Sequence, residues 1–369
     1  MEITVVFLLL CSACFYLALP SSHLRVFFLV ERKNRIDALQ LCKDSNSTLT
    51  TVYDDKEDLH FIRKLIHENI YRVWVGLSHT RDNVSTWSDG VPFTFNASVV
   101  TLGTGDQICE AMDKNTWKGF NCSDRIPFMC YNKTDEYILI EKKKNWCQAQ
   151  KYCRTHYTDL VSISNQTQNQ EVIQMGKNRT FWIGLLHDEW EWEDKTCSTF
   201  RHWMPIFPSS SSPRQHGSVL LSFSDIFFLL PFAVDNESSG LCSKGNTRIR
   251  VINQTLTWEK AFDYCTENHK VLLWINSPSD QEAVEQWLNH TEVSGPLWLG
   301  LRQSHLFGFW IWANESSSEV VEYNKWKNGT VPELPLSHHC GAIAKEDDYM
   351  WSDKDCRLQL PFLCEEDMN

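Results

Sequence analysis

Few side chains in this sequence have the types and spacing that catalysis or transition-metal binding requires. His338-His339 directly precede Cys340, but no third ligand follows at the spacing of a metal site, so we interpret both as loop histidines. The carboxylate pairs Asp54-Asp55 and Glu365-Glu366 lack the surrounding pattern of an acid–base cleft. A Gly-rich phosphate loop, a nucleophile elbow and a His-Glu-x-x-His motif are also missing from the sequence. We therefore predict that the protein is not an enzyme.

The composition favours an extracellular protein with several small, aromatic cores. The 369 residues include 35 basic and 47 acidic side chains, which gives a net charge of −12. This balance argues against nucleic acid as a partner, because phosphate binding requires clustered Lys and Arg. The sequence also contains 16 Trp and 14 Cys, and its length is typical of two to four domains.

The first 22 residues have the features of a secretory signal peptide. Ile3–Leu19 is almost wholly apolar, and Pro20–Ser22 is a cleavage zone of small residues. Glu2 stands where a basic residue is usual, so a membrane anchor is the alternative, although about 17 residues is short for a span. Removal of Cys11 and Cys14 leaves an even number of cysteines, which suits an oxidising compartment. We predict a secreted protein with no membrane span after removal of the signal peptide.

Asn-x-Ser/Thr sequons are unusually frequent, as expected for a glycoprotein on the secretory route. The candidate glycosylation positions are Asn46, Asn83, Asn96, Asn132, Asn165, Asn178, Asn253, Asn289, Asn314 and Asn328.

Three stretches of the chain share a pattern of cysteines and tryptophans. A helical stretch in each ends in a cysteine, at Cys42, Cys153 and Cys265. About thirty residues later each has a Trp-aliphatic-Gly-Leu segment, which begins at Trp74, Trp182 and Trp298. The first and third stretches then close with Pro-Phe-x-Cys, at Cys130 and Cys364. A period of roughly 115 residues is too long for a solenoid repeat and indicates tandem domains.

This pattern resembles the C-type lectin-like domain, in tandem copies arranged as in relatives of the macrophage mannose receptor. The resemblance covers nearly the whole mature chain. It implies an α/β (α+β) fold, in which two helices and two small antiparallel sheets with a long loop are stapled by disulfides. The domains implied after the signal peptide 1–22 are 23–131, 134–245 and 246–366.

The resemblance also implies four disulfides, and the local pattern predicts the helices of the third domain. The implied pairs are Cys42–Cys130, Cys265–Cys364, Cys109–Cys122 and Cys340–Cys356. Thr257 is a candidate cap for a helix from Trp258 to about Asn268. A second helix is predicted to begin at Ser279, with Glu282 completing a capping box.

The second domain departs from the family pattern after Pro205. Residues 206–234 read as an anomalous insertion whose apolar run, 219–234, is a poor membrane span because it contains Asp225 and Pro231. A degenerate insertion or a translated intron is the preferred interpretation. The closing Pro-Phe-x-Cys is missing, so two further pairings are expected only as guesses: Cys153 with Cys242, and Cys147 with Cys197.

Sugar binding in the family uses a Ca²⁺ ion in the long loop, and Ca²⁺ requires 6–8 oxygen ligands. The first domain has Lys118 where a ligand is needed, and the second lacks the motif. In the third, Glu333 keeps a carboxylate after a proline, and Ser352-Asp353 replaces the family's Asn-Asp. Calcium is therefore a candidate cofactor in domain 3 only, with Glu333, Ser352 and Asp353 as its ligands.

The function implied by the resemblance is recognition of glycans or glycoproteins by a secreted protein with degenerate calcium sites. Two alternatives remain open at this point. The domains could instead bind protein ligands without calcium. The chain could also be a soluble or truncated form of a mannose-receptor-like membrane receptor, because it ends five residues after Cys364 without a spanning segment.

Overall fold

The computed structural model divides the chain into two compact units. It describes residues 23–53, 56–66, 72–79, 84–101, 106–133, 136–205, 216–223, 226–304, 308–313, 318–321, 323–332 and 338–368. The predicted signal peptide lies outside these residues. Residues 28–243 form one unit, here called the composite unit, and residues 23–27 with 244–368 form the other, the C-terminal unit. Each contains helices and sheets, which confirms the predicted α+β class.

The first part of the chain folds into four helices and a series of strands. The helices are α1 (Arg35–Asp44), α2 (Lys56–Leu65), α3 (Trp146–His156) and α4 (Gln166–Gly176). The strands are β1 (Val26–Lys33), β2 (Thr48–Leu49), β3 (Arg72–His79), β4 (Ser85–Trp87), β5 (Gln107–Asp113), β6 (Thr116–Asn121), β7 (Ile126–Tyr131), β8 (Tyr137–Lys144), β9 (Asp159–Leu160), β10 (Phe181–Asp188), β11 (Trp190–Trp192), β12 (His216–Phe223), β13 (Ile226–Ala233) and β14 (Ser238–Lys244).

The rest of the chain repeats the helix–strand order. Its helices are α5 (Trp258–Asn268), α6 (Pro278–Asn289) and a short 3₁₀ turn, Lys345–Asp347. Its strands are β15 (Thr247–Leu256), β16 (Val271–Leu272), β17 (Leu297–Gln303), β18 (Trp310–Ala313), β19 (Ser318–Val320), β20 (His339–Ile343), β21 (Trp351–Asp355) and β22 (Leu360–Asp367).

The two helices predicted for the third domain form, but their caps differ from the sequence prediction. Helix α5 covers the predicted residues, yet Thr257 makes no capping hydrogen bond through its side chain. Helix α6 starts one residue earlier than predicted and is capped by Ser277, whose side chain accepts from Asp280 N. The capping box at Ser279 and Glu282 is therefore wrong, because Pro278 occupies the first helical position and Ser277 precedes it.

The sheet of the C-terminal unit places the Trp-aliphatic-Gly-Leu strand at its centre. Its order is β15-β22-β17-β18-β19, with β16 paired to β22 and β20 paired to β17 and β21. Trp298 of β17 stands opposite Ala342 of β20 in antiparallel register and opposite Phe362 of β22 in parallel register. Its indole Nε1 donates to Leu256 O at 2.9 Å, which fixes the side chain at the base of the sheet.

The composite unit contains two such sheets, each built from both of the predicted domains 23–131 and 134–245. One has the order β1-β14-β3-β12-β13, and the other has the order β6-β5-β10-β7-β8. In the second sheet, Trp182 stands opposite Ala111 and Phe128, the same register that Trp298 has with Ala342 and Phe362. The strands of the first predicted domain thus complete the sheet of the second.

The exchange changes the order of elements along the chain within residues 84–188. Here the strands β5, β6 and β7 come before β8, α3, α4 and β10, whereas in the C-terminal unit the equivalent strands β20, β21 and β22 come last. The flanking stretches, 28–79 and 190–243, meet each other in the remaining sheet. There Trp74 stands opposite Val219 in antiparallel register and Gly240 in parallel register. Residues 84–188 are therefore a rearranged domain inserted between two halves of another.

The disulfides follow the exchanged strands and correct two predicted pairs. Cys42 bonds to Cys242, and Cys130 bonds to Cys153, so the pairs Cys42–Cys130 and Cys153–Cys242 are wrong. The physical reason is position in the sheets, because Cys242 of β14 faces α1 whereas Cys130 of β7 faces α3. The remaining bonds agree with the expected pairs: Cys109–Cys122, Cys147–Cys197, Cys265–Cys364 and Cys340–Cys356.

The apolar run of the anomalous insertion forms part of a sheet. β12 and β13 pair as an antiparallel hairpin, and β12 also pairs with β3. Val219, Leu220 and Leu229 are fully buried. The run is therefore apolar because it supplies core, and β14 provides the closing strand that the sequence pattern did not reveal.

Candidate functional site

Asp353, the carboxylate predicted as a calcium ligand in the third domain, is engaged by a histidine. It lies on β21 opposite Gly341 of the neighbouring strand β20. His339 Nδ1 lies 2.9 Å from Asp353 Oδ1 and 3.0 Å from Oδ2, so the imidazole approaches both carboxylate oxygens. A Ca²⁺ ion bound here would have to displace this imidazole.

The other predicted ligands do not converge on Asp353. Ser352 Oγ donates to Ala342 O at 3.5 Å, a contact at the edge of hydrogen-bonding distance. Asp347 pairs with Lys327. Glu333 lies outside the described residues, and the carbonyl of the preceding Pro332 accepts from Trp310 Nε1 at 3.2 Å.

The described residues of this loop therefore do not fit the oxygen-rich shell that Ca²⁺ requires. Within the described ranges, no group of three or more His, Cys, Asp or Glu side chains is placed to hold a metal ion. The tryptophans beside the loop do not offer a stacking face either. Trp310, Trp326 and Trp351 pack on one another and are at most 4% exposed, so they form core.

The composite unit contains a polar cavity of about 170 Å³, here called the tryptophan cavity. Trp87, Trp146, Trp190 and Trp192 contribute to its wall, together with residues of the loop that follows β11. The disulfide Cys147–Cys197 anchors that loop to α3. β4 comes from the predicted domain 23–131, whereas α3 and β11 come from the predicted domain 134–245. The strand exchange therefore brings these residues together.

Each charge at the centre of the cavity wall has a partner. Arg201 Nη2 donates to Asp188 Oδ2 at 2.8 Å, and both side chains are buried. Gln107 Nε2 donates to the same carboxylate oxygen at 3.2 Å, and Trp190 N donates to Asp188 Oδ1 at 2.9 Å. Asp188 therefore accepts hydrogen bonds from a guanidinium, an amide and a backbone N–H.

The rim towards α3 is also built from paired polar groups. Arg154 Nε donates to Asp159 Oδ2 at 2.9 Å, and Arg154 Nη2 donates to Ser88 O at 2.7 Å. Gln150 Nε2 donates to Ser88 Oγ at 3.0 Å. The cavity thus presents amides, hydroxyls and balanced ion pairs.

Two buried indoles of the wall have no hydrogen-bond acceptor among the described residues. Trp87 Nε1 and Trp192 Nε1 are both shielded from bulk solvent, and each side chain is 2% exposed. Buried polar groups normally find a partner, and an unsatisfied one costs about 1–3 kcal/mol.

A wider cleft of about 570 Å³ shares Gln107 and Arg201 with the tryptophan cavity. Its wall mixes the apolar side chains of Phe200 and Phe227 with the guanidinium of Arg63, which lies over the Phe227 ring at 5.3 Å. The cavity and the cleft therefore form neighbouring recesses on the composite unit.

A buried Ser-His-Glu chain lies in the same sheet but is closed to substrates. Ser85 Oγ and His187 Nδ1 are 2.8 Å apart, and His187 Nε2 lies 2.9 Å from Glu110 Oε1. Ser98 also bonds this carboxylate. His187 is 3% exposed and Glu110 is fully buried, so the chain joins β4, β5 and β10 as a structural element.

Sequence reasoning did not single out the cavity residues as a site. The alternation Trp190-x-Trp192 on a strand is the available signal, because it places both indoles on one face. The side chains of Gln107, Gln150 and Asp188 carry no motif. They meet only because the two predicted domains exchange strands.

Most candidate glycosylation positions lie where a glycan has room. Asn46, Asn96, Asn165, Asn178, Asn253, Asn289 and Asn328 are exposed. Asn132 is half-buried, and Asn83 and Asn314 lie outside the described residues. Glycosylation at these positions remains a prediction.

In the described part of the chain, no helix has both the length and the apolar character of a membrane span.

The family model described as Lectin C-type domain matches residues 31–132, 142–224 and 254–366. These three matches agree with the three tandem copies inferred from the sequence pattern.

Two receptors align with this chain over most of its length. C-type mannose receptor 2 of Rattus norvegicus is 22% identical over 427 aligned residues, covering 91% of this chain and 28% of the relative. Secretory phospholipase A2 receptor of Homo sapiens is 23% identical over 420 residues, covering 90% and 27%. The chain therefore spans less than a third of the length of these curated relatives.

Solved structures with similarity include human lithostathine, at 19% identity and a TM-score of 0.30 over 34% of this chain and 86% of that one. The carbohydrate-recognition domain of mouse scavenger receptor C-type lectin matches at 22% identity and a TM-score of 0.29, over 34% and 94%. The family matches cover more than half of the sequence, and the chain belongs to the C-type lectin domain family.

Proposed function

We propose that this protein is a secreted, non-enzymatic lectin that recognises neutral sugars without calcium, through the tryptophan cavity. The observation that carries the proposal is the polar character of the cavity wall, where amides, hydroxyls and balanced ion pairs stand beside four buried tryptophans. Family membership supports carbohydrate binding, and the engagement of Asp353 by His339 argues against a calcium-bridged mode at the predicted ligands.

The chemistry of the wall favours a neutral polyhydroxyl ligand over an anion. Arg201 and Arg154 are each paired with a carboxylate, at 2.8 and 2.9 Å, which reduces their capacity to compensate an added negative charge. Sugar hydroxyls both donate and accept hydrogen bonds, so they match a wall that presents Gln107, Gln150 and backbone groups together.

The same contacts support a binding role in place of catalysis. Asp188 accepts hydrogen bonds from Arg201, Gln107 and Trp190 N, so both of its oxygens are engaged by the protein. A general acid or base requires a carboxyl oxygen within hydrogen-bond reach of the substrate. We therefore assign Asp188 the role of orienting Arg201 and Gln107.

The test is a glycan array probed with the secreted mature chain, in Ca²⁺ and again in EDTA. We expect binding that survives EDTA. Gln150→Trp, which would fill the cavity from α3, should then reduce the signal at least tenfold. Gln170→Trp is the matched control, because it makes the same change at an exposed position of α4.

The outcomes separate the alternatives. Binding that EDTA abolishes would place recognition at a calcium site and overturn the proposal. EDTA-resistant binding that Gln150→Trp leaves unchanged would place the site elsewhere on the chain. Complete lack of glycan binding by a folded chain would overturn the proposal and favour the alternative of protein ligands.

A further inference from the structure

Residues 23–27, the first that the structure describes, are held firmly by the C-terminal unit. Asn246 N and Thr247 N both donate to His23 O, at 3.1 and 3.0 Å, and Arg25 N donates to Thr247 O at 2.8 Å. Leu24 is fully buried and forms a parallel bridge with Thr247. The segment is therefore an integral part of this unit, although more than 200 residues separate it from β15.

Two buried carboxylates of this unit point at His23. Its ring Nδ1 lies 3.1 Å from Asp280 Oδ1, and its ring Nε2 lies 3.0 Å from Glu365 Oε1. The Asp280 and Glu365 side chains are 2% and 0% exposed. Lys270 also approaches Glu365, at 4.0 Å, from a half-exposed position. Carboxylates buried in this way require nearby positive charge.

The backbone nitrogen of His23 points at the same carboxylate. His23 N lies 3.0 Å from Asp280 Oδ1, and Leu24 N lies 3.3 Å from it. Ser277 Oγ donates to the second oxygen of Asp280 at 2.8 Å, so the carboxylate is held in place from its own helix cap. An amide at His23 N supplies a neutral hydrogen bond, whereas an amino group there would be cationic and would bond the carboxylate about twice as strongly.

We propose that the mature chain begins at His23 and that its α-ammonium group forms a salt bridge with Asp280. The processing step is hydrolysis of the Ser22–His23 amide by a protease of the secretory route. One water is consumed, a carboxylate is left on Ser22, and an ammonium group is left on His23. Removal of the predicted signal peptide would thus place a second cationic group beside Asp280, in addition to the imidazole of His23. The proposal does not depend on glycan binding.

The first test is N-terminal sequencing of the protein secreted from eukaryotic cells with its own leader. We expect His23 as the first residue. A different first residue would overturn the proposal.

The second test measures the contribution of the amino group. The chain that begins at His23 is compared with a chain that carries Gly-Ser before His23, each verified by sequencing. We expect the extension to lower the thermal midpoint of the C-terminal unit by about 2–4 °C at pH 6.5, because it returns His23 N to an amide.

The matched control repeats the comparison in the Asp280→Asn background, where the carboxylate is removed and the extension should have no effect. An equal midpoint for the two chains with native Asp280 would overturn the salt bridge even if cleavage occurs at His23. An equal loss in both backgrounds would show that the extension acts by steric interference, and would also overturn it.

Discussion

Trp117 Nε1 donates to Asn169 Oδ1 at 2.9 Å, and Trp351 Nε1 donates to Gln281 Oε1 at the same distance. Both indoles precede a cysteine by five residues, and both acceptors lie in the second helix of a lectin-type fold. The acceptor of Trp351 comes from its own domain, whereas Asn169 comes from the domain after that of Trp117. The two hydrogen bonds are equivalent, but the one from Trp117 crosses between the two predicted domains, which is the strand exchange seen in a single contact.

The exchange predicts a specific disulfide map. Proteolytic digestion without reduction should release one linked peptide pair with Cys42 and Cys242 and another with Cys130 and Cys153. Mass spectrometry of the digest measures this directly. Recovery of a Cys42–Cys130 peptide would contradict the exchange, and the Cys265–Cys364 peptide serves as the internal control because the exchange does not involve it.

The glycine of the Trp-aliphatic-Gly-Leu motif is required by a close approach of backbone. A Cβ on Gly76 would lie 2.5 Å from Leu49 O, whereas one on Gly184 would lie 3.1 Å from Leu160 O. We expect Gly76→Ala to lower the free energy of unfolding by about 1–3 kcal/mol, with a smaller loss for Gly184→Ala, since overpacking strains the core. Chemical denaturation of the two variants tests this order, and an equal loss would contradict it.

The sequence predicted the central strands of these domains correctly, but it did not predict which strands pair with them. The positions of Trp74 and Trp182 reveal strands because a large aromatic beside a glycine suits a central strand against a helix. Their partners were not predictable, since Val219 and Ala111 carry no motif that says which tryptophan each faces. The tryptophan cavity, whose wall includes Asp188, depends on these pairings, so it could not be predicted from the sequence either.

The buried pair of His187 and Glu110 should contribute strongly to the stability of the composite unit. Both are removed from solvent, and their Nε2–Oε1 contact is 2.9 Å. Removing the imidazole leaves the buried Glu110 carboxylate without one of its hydrogen-bond partners, which costs about 1–3 kcal/mol. We therefore expect His187→Phe to destabilise the unit by this amount in denaturant. His202→Phe is the control at an exposed position, and an equal effect of both would contradict the prediction.

The contact between Asp353 and His339 predicts weak or no response to calcium. We expect calorimetric titration of the full mature chain with millimolar Ca²⁺ to give no binding heat. His339→Ala should release the Asp353 carboxylate and still give none, because the described residues nearby do not supply further oxygen ligands. Binding heat that Asp353→Asn abolishes would show instead that this residue is a calcium ligand.

The position of His23 predicts that the C-terminal unit loses stability at alkaline pH. Burial disfavours the imidazolium, but hydrogen bonds to Asp280 and Glu365 and the charges of both outweigh it and raise the pKa of His23 from 6.5 to about 9. A raised pKa stabilises the folded state fully below about pH 6.5, and the contribution is lost as the pH rises through 9. The full shift corresponds to about 3 kcal/mol. Thermal unfolding from pH 6 to 10 should therefore show a falling midpoint that His23→Gln flattens, while the exposed His60→Gln leaves the slope unchanged. An unaltered slope in His23→Gln would contradict the assignment to the imidazole.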